Sequence, residues 1–259
     1  MKSIDFATRL GINISVDEIR ENNACSAMQS LNNFLSNPKF IREHGCKSAN
    51  IINRTTGKVY EIGGGDLDIL YTHVNDCRKL GRRLHIMEKQ ENSTIQNSGI
   101  MIDIDRYQFN DQREIQPRHL QQFCKHILKR LQYYLQIDNI DSRVFIIAKP
   151  TGPVRVEQKR QDELMNKYGS NLDTEHSSAP VYKDGFHILF PEIQVSKIFK
   201  KFFLTNGLSA DTVSRIFSQL PAHLGGPMDM IDTGSAAVPI NMFGSSKMTS
   251  DSVPYVLHS

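Results

Sequence analysis

No stretch of this 259-residue chain stays apolar over the ~20 residues that cross a bilayer. Its start, Met1-Lys2-Ser3-Ile4-Asp5, has no apolar run of the secretory kind. The two absences lead us to expect a protein inside a cell, without a membrane partner. Cysteine is scarce: Cys25, Cys46, Cys77 and Cys124 lie far apart, and no pair has the Cys-x-x-Cys spacing of a zinc site. Cys77 and Cys124 fall at apolar positions of predicted helices, where a free thiol behaves as a small hydrophobe. An excess of one charge is also missing, with 31 Lys and Arg against 28 Asp and Glu. Net charge alone therefore names no polyanionic partner. Internal repeats are absent, and so is the nucleotide-loop pattern Gly-x-x-x-x-Gly-Lys-Ser/Thr.

What is present is a soluble globular composition, 39% hydrophobic and 23% charged, long enough for one large domain or two small ones. The most informative stretch is Ser98-Gly99-Ile100-Met101-Ile102-Asp103-Ile104-Asp105. Strand side chains alternate faces, so Ile100, Ile102 and Ile104 are expected in a core, with Asp103 and Asp105 side by side on the other surface. Adjacent carboxylates repel unless a cation lies between them, and their hard oxygens suit Mg²⁺ or Mn²⁺. Taken alone, the same pattern also describes an edge strand with solvated acids.

In chain order, residues 1–36 read as helical until Asn37-Pro38. Residues 50–62 form a hairpin turning at Thr56-Gly57, and Asp66 is the expected N-cap of a helix ending at Leu80-Gly81. Residues 83–88 make a strand, expected to pair with the aspartate strand across Gln90 to Asn97. The strongest helix follows Pro117, with Leu120, Phe123, Cys124, Ile127, Leu128, Leu131, Tyr134 and Leu135 on one side. Arg118, Lys125, Lys129 and Arg130 lie on the other. Val144–Ala148 is a strand. Residues 150–183 are a polar insertion in which Leu164-Met165 nucleates a short helix. In Lys183-Asp184-Gly185-Phe186-His187-Ile188-Leu189-Phe190, alternation sends Phe186, Ile188 and Phe190 inward and His187 outward. Residues 195–204 form a helix with Ile198, Phe199 and Phe202 inward and Lys197, Lys200 and Lys201 exposed, and another helix spans 209–220. Phe243-Gly244-Ser245-Ser246-Lys247 combines backbone N–H groups, hydroxyls and one cation into a compact anion site.

An Asp-x-Asp strand, a Gly-Phe-His strand, a later acid and a Gly-Ser-Ser-Lys segment, in that order, resemble the archaeo-eukaryotic primase superfamily. The likeness is closest to the primase part of primase-helicases from large cytoplasmic DNA viruses, of the African swine fever virus type. It runs through Asn50–Lys58, Cys77-Arg78-Lys79, Met87–Gln90, Met101–Asp105, Gly185–His187, and Ile231-Asp232 to Lys247. The resemblance implies an α+β fold with an RRM-like catalytic sheet and flanking helices. It implies a helical extension over 1–40, a catalytic domain over 41–259, and a helicase part beyond this chain. Asp103, Asp105 and Asp232 would be the catalytic, metal-holding acids, with Asp232 preferred over Asp229. His187, Lys247, Ser245, Lys183 and Arg54 would contact the nucleotide. The implied activity is template-directed primer synthesis from nucleoside triphosphates on single-stranded DNA, with Mg²⁺ or Mn²⁺, at a viral replication site in the host cytoplasm. Template phosphates would lie along basic surface such as the 118–130 helix. Asn241 departs from the broader poxvirus-like pattern, which has arginine there.

Other classes use some of the same residues. A metal-dependent nuclease or another nucleotidyltransferase would need the same acids, and a single-strand-binding module would need only the basic surface. An Asp-x-Asp glycosyltransferase leaves the histidine strand and Ser245-Ser246-Lys247 without a role.

Overall fold

The computed structural model describes residues 16–89, 97–137, 142–169, 179–221, 224–236, 238–241 and 256–257. Its chain divides into two compact units.

The first unit holds helix α1 (Val16–Leu35), strands β1 (Ile41–Arg42), β2 (Ile51–Asn53) and β3 (Val59–Tyr60), helix α2 (Gly65–Lys79) and strand β4 (Ile86–Glu88). The β2–β3 hairpin forms as expected, with Gly57 at φ 70°, a left-handed turn position that favours glycine. Asn50 mimics a strand backbone: its amide donates to the Ile62 carbonyl and accepts from the Ile62 N–H. Leu31 and Leu35 from α1 and Leu70, Val74 and Cys77 from α2 pack with Ile51, Tyr60 and Ile86 in this unit's core.

Two expectations fail here. β4 pairs with β2 and with a late strand, Ile240–Asn241, instead of the aspartate strand. Adjacency in sequence favours pairing without requiring it, and the apolar partner Ile51 lies upstream. Asp66 sits in the first turn of α2, with Gly64 at the N-cap, and its carboxylate binds Lys39 at 3.1 Å.

The second unit is built on a long antiparallel pair, β5 (Asn97–Gln108) and β8 (Tyr182–Ser196). β6 (Phe145–Ala148) lies beyond β8, followed by a short strand at Val256–Leu257. β7 (Val154–Arg155) pairs with the start of β8, and β9 (Ile231–Asp232) lies on the free side of β5. Ile100, Ile102, Ile104, Phe186, Ile188 and Phe190 are all at most 1% exposed and form one apolar face.

Helix α3 (Pro117–Leu135) covers that face with Leu120, Phe123, Ile127 and Leu131, joined by α6 (Ala210–Phe217) through Val213 and Phe217. Pro117 starts α3, and His119 Nδ1 accepts from the Gln116 N–H at 3.1 Å. Within the insertion the expected short helix forms as α4 (Gln158–Tyr168), and it buries Leu164 against Val181 and Leu224.

Helix α5 (Lys197–Phe202) departs from the expected faces at three positions: Ile198 and Phe202 are exposed, and Lys200 is buried, donating to Ser98 Oγ, whereas Lys197 and Lys201 are exposed and Phe199 packs on the core as expected. Six residues give too few turns for the periodicity to settle which side faces inward. The inward side is set by the following π-helical turn, Phe203–Gly207, which buries Phe203 and Leu204.

Candidate active site

The carboxylate face is the reverse of the apolar face, and strand alternation alone generates it. Register then adds what the sequence lacks. Asp103 lies opposite His187 on β8 and opposite Asp232 on β9, so the three stand in one row across adjacent strands. Directly opposed side chains on a sheet have Cβ atoms about 5 Å apart. His187 Nε2 is 3.5 Å from Asp103 Oδ1, and the imidazole is 7% exposed.

One step along the same face, Asp105 lies opposite Gly185, and Tyr107 lies opposite Lys183. Having no side chain, Gly185 leaves open the strip beside Asp105. The Lys183 ammonium crosses it diagonally to Asp105 Oδ2 at 2.5 Å and stands 5.9 Å from the Tyr107 ring. Burial pulls the Lys183 pKa down, but the Asp105 carboxylate, with Tyr107 and Asp103, outweighs it and holds the ammonium above its ordinary value.

Asp232 is the acid beside Asp103, whereas Asp229 is turned into its own loop, accepting from the Gly226 N–H at 2.7 Å. Asp232 Oδ1 accepts from the Gly234 N–H at 2.8 Å, and a side chain on Gly234 would approach that oxygen to 3.0 Å. Three carboxylates in this order are the donor chemistry of a hard divalent cation. Among the described residues no group of three or more His, Cys, Asp or Glu is gathered as a metal cage. Asp105 is paired with Lys183, and Asp232 with the Gly234 N–H.

The remaining candidates lie elsewhere. Arg54 is an exposed residue of the first unit, its guanidinium 3.8 Å from Met87 Sδ. Ser245 and Lys247 lie outside the described residues.

A supporting pair was not foreseen. Asp184 is fully buried on the core side, and Arg113 forks onto it at 2.9–3.2 Å, donates to the Lys149 carbonyl and lies 4.7 Å over the Phe186 ring. It clamps β8 between Lys183 and His187. The one available signal was a charged residue at an inward position of β8.

A family model described as the C962R protein N-terminal AEP domain matches residues 49–259. Two curated relatives, both named "Putative primase C962R", are similar over 212 residues. That of African swine fever virus isolate Warthog/Namibia/Wart80/1980 is 28% identical, and that of strain Badajoz 1971 Vero-adapted is 27% identical. The alignments cover 81% of the present sequence and 19% of each relative, so the chain spans about a fifth of the length of these relatives.

Proposed function

This chain belongs to the family of the C962R N-terminal AEP domain, an α+β archaeo-eukaryotic primase-type domain of large DNA viruses, and we propose that it makes short primers on single-stranded DNA by two-metal nucleotidyl transfer. The observation that carries this reading is the row Asp232–Asp103–His187, laid across three strands on the face that the core leaves free.

Asp103, Asp105 and Asp232 would hold Mg²⁺ or Mn²⁺. Such cations supply a lowered pKa at the primer 3′-hydroxyl and charge neutralisation on the departing pyrophosphate. The protein's own groups bind and orient. His187, fixed by the core beneath β8, offers a ring nitrogen to the triphosphate of the incoming nucleotide. Lys183 neutralises phosphate charge when its ammonium moves from Asp105 to the nucleotide, which releases Asp105 for its own role. The family resemblance also assigns nucleotide contacts to Ser245, Lys247 and Arg54. Fixed placement of these groups supplies most of the rate, because phosphoryl transfer asks little covalent chemistry of a protein. The substrates are nucleoside triphosphates and a single-stranded template, and the partner in the full-length protein is a C-terminal helicase at a cytoplasmic viral replication site. No helix among the described residues is long and apolar enough to cross a membrane.

The test is synthesis on single-stranded DNA with labelled nucleotides and Mg²⁺ or Mn²⁺, comparing wild type with Asp103→Asn and Asp105→Asn. Short products from wild type alone are expected. Cleavage of the DNA instead of synthesis would identify a nuclease. Binding without any product would identify a single-strand-binding module, and unchanged synthesis by Asp103→Asn would remove that residue from the centre.

A further inference from the structure

The second unit has a basic cleft that the proposed chemistry does not use. It opens between α3 and α6, has a volume of about 640 Å³, and is lined by Lys125, Lys129, Arg130 and Arg215, with His126 and Thr212 among its other walls. Among the described residues, no acidic side chain lines it. Such a density of like charge is costly unless an anion is present, and His126 registers it. Burial and the neighbouring Arg130, Lys129 and Arg215 hold its pKa below the ordinary value, while its Nε2 accepts from the Ser209 N–H at 3.3 Å.

The cleft lies behind the sheet. α3 packs its Leu120, Phe123, Ile127 and Leu131 onto the apolar side of β5, while Asp103 and Asp105 point to the other side. A helix about 10 Å thick and the sheet itself separate the two surfaces. The basic helix that the sequence offers for template phosphates is therefore no wall of the carboxylate face.

Aromatic surface adjoins the charge. Lys125, Lys129 and Tyr133 follow one another at four-residue spacing, one ridge along α3 with steps of about 6 Å. The Tyr133 ring is 71% exposed, and the Arg130 guanidinium lies 5.4 Å from its centre. Arg130 is itself held in place by hydrogen bonds to the Gly207 carbonyl (2.7 Å) and the Tyr134 hydroxyl (2.8 Å). Cations that track a backbone, next to an open ring that accepts any base, are the chemistry of single-strand binding. A site for free phosphate has no use for the ring.

We propose that the α3–α6 cleft is an accessory site for single-stranded DNA, separate from the carboxylate face, in which Lys125, Lys129, Arg130 and Arg215 take phosphates while Tyr133, on the ridge beside the cleft, stacks on a base. The proposal is independent of the primase reading: a chain that binds there and makes no primer still satisfies it.

The experiment is fluorescence anisotropy of a labelled oligothymidylate against the whole chain over a series of salt concentrations. The variants are Lys125→Ala/Lys129→Ala, Tyr133→Ala and, as a control, Lys159→Ala, an exposed cation of α4 outside the cleft, each checked for an unchanged thermal midpoint. Two lost phosphate contacts should flatten the slope of log affinity against log salt by about 1.4. Tyr133→Ala should weaken binding about tenfold, the effect of one lost base stack. Lys159→Ala should bind as wild type does. Wild-type affinity and slope in both cleft variants would overturn the site, as would a loss of binding in Lys159→Ala equal to that in the cleft variants. A silent Tyr133→Ala, with inorganic phosphate competing as well as the oligonucleotide phosphates do, would reassign the cleft to free phosphate.

Discussion

The two faces of the β5–β8 pair are made from the same residues in alternation, yet they obey opposite rules. On one face isoleucine and phenylalanine are sealed under α3, and their contribution is stability. On the other, Asp103, Asp105, His187 and Lys183 form a cluster of ionisable groups that the packing of the core does not require. Two acids two residues apart repel, and a surface chosen for stability would not keep them together. The contrast separates what holds this fold from what the fold holds up.

The largest effect should come from forcing one face to obey the other's rule. Ile102→Asp places a carboxylate where exposure is 0%, at a cost of several kcal/mol, comparable with the whole stability of a domain. We expect no cooperative urea transition from that variant, whereas Asp103→Asn next door should unfold within about 1 kcal/mol of wild type.

The apolar face has one polar end, and there the comparison can be sharpened. Asp184→Ala leaves Arg113 facing a pocket that had buried its partner, and loss of one member of a buried pair costs about 3 kcal/mol. Urea unfolding would read it. The same change should impair synthesis by loosening β8 between Lys183 and His187.

Smaller again is Lys183→Met. Because the folded protein raises the Lys183 pKa, its stabilisation is fully present below the ordinary value of 10.5 and is lost as pH rises through the higher folded value. Its side chain is 32% exposed, so the difference at neutral pH should be no more than about 1 kcal/mol. Stability of wild type and variant measured against pH should stay parallel at neutral pH and converge only in alkali. Smallest of all is Ile198→Ser, expected to stay within about 0.5 kcal/mol in the same assay, because that side chain faces water.

Ile198 also marks the limit of reading by pattern. Over the long α3, three-four spacing picks out the buried side, and over β5 and β8 alternation picks out both faces, because each pattern repeats enough times to exclude its alternatives. α5 has too few turns for that, and the buried lysine and exposed isoleucine follow from where Phe203 is anchored. β4 failed differently: its strand character is written locally, but its partners are not.

The sequence by itself determined the strands bearing the acids and the histidine, which of their residues turn inward, the helix that covers them, and the family resemblance carried by their order. Tertiary structure decided that Asp232 stands beside Asp103 while Asp229 does not, that Lys183 holds Asp105, and that the basic helix lies behind the sheet. The reason is physical. Alternation and helical spacing are properties of neighbouring residues, whereas register between strands more than seventy residues apart is settled by the whole core as it packs.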